Sequence, residues 1–130
     1  MPRSSFLLPL GDALTILLFA VLGRQSHNEA ASNIAAAFKV AAPFIIGWLF
    51  IAPWLGALRP PAWASLRSAA AVVLKAFVPA YVAGSLLRAL SLGRFSPPAF
   101  YLVTAAVILA LLLGWRWVYT LAVAPRLGRA

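Results

Sequence analysis

Three ionisable side chains stand inside otherwise apolar stretches of this sequence: Asp12, Lys75 and Arg116. Side chains of these types in such surroundings can do one of two things. They can relay a proton or cation, or seat an anion, at a site removed from bulk water. Alternatively they can neutralise one another as an ion pair that fixes the register of neighbouring helices. Asp12 is the only acid inside any apolar run. An isolated carboxylate in hydrocarbon costs about 2.5–3.5 kcal/mol on insertion scales, so a partner is expected. Lys75 and Arg116 are the candidates. Asp12 lies six residues past Phe6 and Lys75 seven past Ser68, which puts both at roughly 10 Å depth at about 1.5 Å per residue. Arg116, near the end of the last run, reaches the same layer. The ion-pair reading is favoured, because long cationic chains this close to an interface snorkel easily.

A second constellation is the polar stretch holding Arg24, Ser26, His27, Asn28 and Glu29. Ser26, His27 and Glu29 include the residue types of a hydrolytic triad. A triad, however, is assembled by folding, with a buried acid orienting the histidine, and these residues are nearly adjacent in sequence. The chain has one His and no Cys, too few for the three protein ligands that catalytic zinc takes. We read the stretch as a solvated loop, and expect no catalytic residue, no metal and no cofactor.

The elements that must position these residues follow from composition. Of 130 residues 64% are hydrophobic and only 10% charged, 11 basic and 2 acidic, for a net charge of +9. A soluble domain carries about a quarter charged residues, so this chain cannot cover a water-facing surface. The basic residues sit singly between apolar runs, not clustered on one face as nucleic-acid binding requires. Four continuous apolar runs, at 6–23, 35–58, 68–90 and 99–118, are each close to the roughly 20 residues a helix needs to cross a bilayer. Continuous runs without alternation exclude barrel strands. Short connections return each helix antiparallel to the one before. The expected fold is all-α: a single transmembrane domain over 1–130, four transmembrane helices in an up-down bundle. The first run is read as a retained helix and not a cleaved signal, because Asp12 interrupts it and no small-residue cleavage site follows.

Orientation is set by Lys and Arg in the short loops. Arg3, Arg59, Arg67, Arg126 and Arg129 fall on the side of both termini. Arg24 and Arg94 fall on the other side, with Lys39 and Arg88 just inside its boundary. The count favours both termini in the cytoplasm and a multi-pass protein of the cell membrane. Trp54, Trp63, Trp115, Trp117 and Tyr119 fit an aromatic belt on the cytoplasmic side.

The two halves echo one another. Pro9, Leu22-Gly23-Arg24 and Ser26 recur seventy positions later as Pro79, Leu92-Gly93-Arg94 and Ser96. Gly47-Trp48 recurs as Gly114-Trp115, and Ala52-Pro53 with Leu55-Gly56 as Ala124-Pro125 with Leu127-Gly128. The ordered series suggests a duplicated two-helix hairpin, with units 9–59 and 79–129. In each Leu-Gly-Arg, the glycine is expected to end a helix in the left-handed conformation. Pro43, Pro53 and Pro79 are expected to kink spans. Gly47, Gly56, Gly84 and Gly114 suit close helix packing, including self-association or docking on another membrane protein.

Taken together, Gly11-Asp12-Ala13-Leu14, Leu18-Phe19-Ala20, Leu22-Gly23-Arg24 and Ser26-His27 resemble the opening of a bacterial and archaeal membrane family known as domain of unknown function 3054. Ala42-Pro43-Phe44, Gly47-Trp48, Ala52-Pro53, Leu55-Gly56-Ala57 and Gly114-Trp115-Arg116 fit the rest of its pattern. Asp12, Arg24, His27, Pro43 and Trp115 match its recurrent positions. The resemblance implies a small polytopic membrane protein and brings no activity with it. The reading preferred from the sequence is a homo-oligomeric ion or small-solute transporter built around Asp12, Lys75 and Arg116; the alternative is a non-catalytic assembly or accessory subunit of a larger membrane complex. A lipid-processing enzyme using the Arg24–Glu29 loop lacks a convincing base and electrophile-stabilising group.

Overall fold

A computed structural model describes residues 4–26 and 34–123. It contains four α-helices and no strand among the described residues: α1 (Ser4–Ser26), α2 (Ile34–Ile51), α3 (Leu66–Leu92) and α4 (Pro98–Val118). Two short 3-10 turns, Ala52–Leu55 and Pro60–Trp63, join α2 to α3, and a π-helical turn, Tyr119–Val123, extends α4. Three stretches are long and apolar enough to cross a membrane: Ala35–Leu55, Leu66–Leu92 and Pro98–Ala122. The apolar part of α1, Leu7–Gly23, is shorter. At about 1.5 Å per residue it spans roughly 25 Å, against about 30 Å of hydrocarbon.

Local chemistry explains most boundaries. Ser65 caps α3 by accepting a hydrogen bond from the Ser68 backbone N–H at 3.0 Å, which satisfies one of the orphan donors of the first turn. Gly93 ends α3 with φ +74°, and Gly56 ends the turn after α2 with φ +92°; only glycine takes such angles without strain. The expectation for Gly23 needs correcting: α1 runs through it to Ser26 and its φ is not left-handed. Nothing at that position forces a stop, because no proline follows and the next residues continue the helix. Pro9, Pro43 and Pro79 lie inside α1, α2 and α3. Pro53 instead sits in the 3-10 turn where α2 ends, a place its missing N–H suits.

Each helix packs on two neighbours: α1 on α2 and α4, α3 on α2 and α4. Named contacts give the directions. Gly47 of α2 lies against Ala80 and Gly84 of α3, while Gly84 lies against Pro43 and Phe44, so α2 and α3 run antiparallel. The Tyr81 hydroxyl donates to the Tyr101 carbonyl at 2.7 Å, and the Trp117 indole to the Leu66 carbonyl at 3.1 Å, so α3 and α4 do too. The core is apolar and partly aromatic. Phe44, Tyr81 and Phe77 form a continuous stack with ring centroids 5.4 and 5.1 Å apart.

The outside is as apolar as the inside. Leu10, Leu14, Leu18 and Leu22 make an exposed four-residue stripe along α1, and Val78, Val82, Leu86 and Leu90 one along α3. A helix that is hydrophobic all round belongs in lipid or in a large core.

The glycines divide into two kinds. A Cβ at Gly47 would stand 2.7 Å from the Ala80 carbonyl oxygen and 2.8 Å from the Gly84 nitrogen, both backbone atoms. Gly114 is exposed, and nothing lies within 4 Å of the same construction. The two Gly-Trp pairs of the sequence repeat therefore sit in unlike surroundings. Gly47→Ala should destabilise the fold by about 1–3 kcal/mol through overpacking against backbone, whereas Gly114→Ala should leave the unfolding midpoint unchanged. Detergent unfolding followed by helical circular dichroism reads both.

Candidate functional site

The inward face of α1 repeats every four residues: Leu8, Asp12, Ile16 and Ala20 are all buried. The inward face of α4 follows the same spacing with Thr104, Ile108, Leu112, Arg116 and Thr120. Residues four apart share a helix face, so Asp12 and Arg116 occupy positions where their neighbours in the stripe are core residues. α2 contributes Trp48 from its own buried face, and the Gly56 turn brings the Ala57 carbonyl to the same spot.

These four groups form one closed network. Asp12 Oδ1 accepts from Arg116 Nε at 3.0 Å, and Asp12 Oδ2 accepts from Arg116 Nη2 at 2.6 Å. This is the parallel, two-bond geometry in which a guanidinium matches a carboxylate best. Asp12 Oδ2 also accepts from the Trp48 indole Nε1 at 2.9 Å. The remaining side of the fork, Arg116 Nη1, donates to the Ala57 carbonyl at 2.7 Å. Asp12 is 0% exposed and Arg116 2%. One negative and one positive charge cancel, and the surrounding hydrogen bonds meet the condition under which a buried pair is tolerated. Trp115 closes the flank: its indole lies against Gly11, where a Cβ would overlap the ring, and its Nε1 donates to the Leu8 carbonyl at 3.4 Å.

The sequence-predicted residues separate clearly. Asp12 and Arg116 come together. Lys75 does not join them: it is exposed on α3, on the opposite side from Val73, Ala76, Phe77 and Ala80, which face the core. Its direction around the helix points outward, where a long side chain can snorkel. Arg24 and Ser26 fall in the last turn of α1. Their side chains, and His27 and Glu29 entirely, lie outside the described residues. Trp48 and the Ala57 carbonyl were not anticipated as parts of the site. The signal for Trp48 was present: an indole N–H in mid-span needs an acceptor, and Asp12 is the obvious one. No side-chain signal marks a backbone carbonyl. Of the aromatic belt, Trp63, Trp115 and Tyr119 make edge-to-face contacts at 5.8 and 5.9 Å between centroids, while Trp54 is exposed.

A gap of about 10 Å³ lies among Ile16, Phe44, Trp48, Phe77 and Leu112. That is space for about one water, and the lining is apolar, so it stays dry. Asp12 does not line it.

Comparison with known proteins adds one result. The sequence matches a family described as protein of unknown function, DUF3054, over residues 9–119. The chain belongs to that family. The matched region takes in Asp12, Trp48, Ala57 and Arg116, the whole of the network. No curated protein and no solved structure gives a significant match.

Removing one partner of a buried ion pair leaves the other charge uncompensated, at about 3–5 kcal/mol. Asp12→Asn and Arg116→Met should each destabilise on that scale, and Asp12→Leu combined with Arg116→Met should recover much of the loss. Lys75→Gln should leave the unfolding midpoint where it is. Unfolding of purified protein in mixed micelles distinguishes these outcomes.

Proposed function

We propose that this is an integral protein of the cell membrane, crossing it four times as an up-down bundle with both termini in the cytoplasm. We propose further that it acts as a non-catalytic accessory subunit, docking another membrane protein against its outer surface. The observation that carries this reading is the saturation of Asp12. A transport site needs a carboxylate that water or a solute can reach. Here both carboxylate oxygens are taken by Arg116 and Trp48, in a site sealed from the surface. The charges therefore serve as a structural lock, and function moves to the helix faces.

Four-span insertion is supported by the three long apolar helices and by the packing of α1 on α2 and α4. The shortness of α1 is offset by the Asp12–Arg116 pair, which ties it to α4. The orientation rests on the sequence count of Arg3, Arg59, Arg67, Arg126 and Arg129 on one side against Arg24 and Arg94 in the loops of the other.

The docking face is on α4. Ala106, Ala110 and Gly114 are exposed at four-residue spacing, the small-residue pattern that lets helices approach closely in lipid. Gly47 and Gly84, by contrast, are used up inside the chain.

Purification in mild detergent should retain a second membrane protein in fixed ratio. Gly114→Leu should release it without moving the unfolding midpoint, and liposomes containing the protein should leak neither protons nor potassium above background. A lone monomer, together with an ion flux abolished by Asp12→Asn, would favour transport instead.

A further inference from the structure

At the opposite end of the helices from Asp12, a second arginine is held in place without a counter-charge among the described residues. Arg88 lies four residues before the last residue of α3. Its Cζ stands 4.2 Å over the centre of the Phe100 ring, and its Nε donates to the Ser96 hydroxyl at 3.2 Å. Ser96 is itself fixed, because its backbone N–H donates to the Tyr101 hydroxyl at 3.1 Å. Tyr101 is fixed in turn through its carbonyl, which accepts from the Tyr81 hydroxyl at 2.7 Å. The guanidinium is thus gripped by its face and by one edge. Neither Nη nitrogen has a hydrogen-bond partner among the described residues, and neither does the Tyr101 hydroxyl hydrogen.

No acid among the described residues answers this charge. Asp12 is the only acid among the described residues, and it is committed to Arg116. Lys39 and Arg94, both exposed, fall at the same end. α4 begins here as well, with Pro97 and Pro98, no acid in its first turn and no side-chain cap, so its positive end adds to the field. A snorkelling arginine free of constraint would extend into water. Arg88 is instead stacked and pinned, with the outer edge of its fork left open, which is the edge that binds two oxygens of a phosphate in parallel.

Depth names the source of such a group. Arg88 is twenty-two residues beyond the first residue of α3, or roughly 33 Å along the axis at about 1.5 Å per residue. Hydrocarbon is about 30 Å thick, so a helix entering at one boundary delivers Arg88 to the headgroup layer of the other.

We propose that Arg88, positioned by Phe100 and Ser96 and assisted by the Tyr101 hydroxyl, forms a binding site for a phosphate group at the membrane boundary. The phosphate of an anionic phospholipid is the group present at that depth; free phosphate shares its chemistry. The site rests on the membrane reading above for its lipid source, but not for its phosphate chemistry.

The test uses the full chain, delipidated in detergent, with phosphatidylglycerol and inorganic phosphate as separate probes. Binding is read by native mass spectrometry for the lipid and by phosphorus NMR line broadening for phosphate. Arg88→Gln should weaken phosphatidylglycerol binding roughly tenfold or more, the scale of charge-assisted hydrogen bonds lost. Arg88→Lys, which keeps the charge and loses the fork, should also weaken it. Arg94→Gln, on an exposed arginine nearby, should not. Far-UV circular dichroism and elution volume check that each variant is folded. Arg88-dependent binding of the lipid alone assigns the site to a headgroup, and Arg88-dependent binding of inorganic phosphate assigns it to a free anion; both support the site. Equal binding by wild type, Arg88→Gln and Arg88→Lys would overturn it. Alkaline extraction of native membranes separates the two claims, since release of the protein there would remove the membrane reading while leaving Arg88-dependent phosphate binding intact.

Discussion

A carboxylate cannot be sealed among apolar helices unless its charge is answered and both of its oxygens find donors. Asp12 imposes that condition on the rest of the chain. Arg116 supplies the charge and two of the hydrogen bonds, and Trp48 supplies a third. The leftover side of the guanidinium then needs an acceptor, and the Ala57 carbonyl provides it. One residue from α1 thereby fixes the approach of α4, the rotation of α2 and the path of the turn after it. The network joins the first helix to the last. Such closure matters most for α1, whose apolar stretch is the shortest of the four and carries the acid.

Packing elsewhere follows from the same economy of space. Gly47 and Gly84 let α2 and α3 meet backbone to backbone, and Gly11 leaves room for the Trp115 ring beside Asp12. What remains outside is apolar: the leucine stripe of α1, the valine and leucine stripe of α3 and the small-residue stripe of α4. The two ends of the bundle then differ in character. At one, an arginine is fully paired and buried. At the other, Arg88 is positioned by Phe100 and Ser96, and no acid among the described residues pairs with it. The excess of 11 basic over 2 acidic residues thus divides into a neutralised lock, boundary charges and one arginine whose fork stays open.

Much of this was legible in the sequence. Continuous apolar runs and proline-rich or polar connections located all four helices to within three residues, except that the second run, read to 58, overshoots the end of α2 at Ile51, where Pro53 and Gly56 turn the chain. The motif residues around Asp12, Gly47-Trp48 and Gly114-Trp115 pointed to the family that the match over residues 9–119 establishes. Depth can be counted from the sequence, so a cation is expected beside Asp12, and Arg116 lies against it. Direction around the helix axis could not be read in the same way. α3 is apolar on every side, so nothing in its pattern separated the inward Val73 from the outward Lys75. The α4 stripe Thr104, Ile108, Leu112 and Arg116 was readable only once the core side was known. Gly23 and Gly93 share the same Leu-Gly-Arg context, yet only Gly93 turns left-handed; Pro97 and Pro98 follow it closely, while no proline follows Gly23 until Pro43. Local sequence marks where a helix can end, and what comes next decides whether it does.

The Asp12–Arg116 lock can be observed directly in a lipid bilayer. Protein labelled with carbon-13 in aspartate and nitrogen-15 in arginine and lysine side chains permits solid-state NMR dipolar recoupling at the single described aspartate. Strong coupling of the Asp12 carboxyl carbon to the Arg116 guanidinium nitrogens is expected, as contacts of 2.6 and 3.0 Å from carboxylate oxygens require, with none to Lys75. Coupling to Lys75 Nζ, or an Asp12 carboxylate uncoupled from any cation, would contradict the lock.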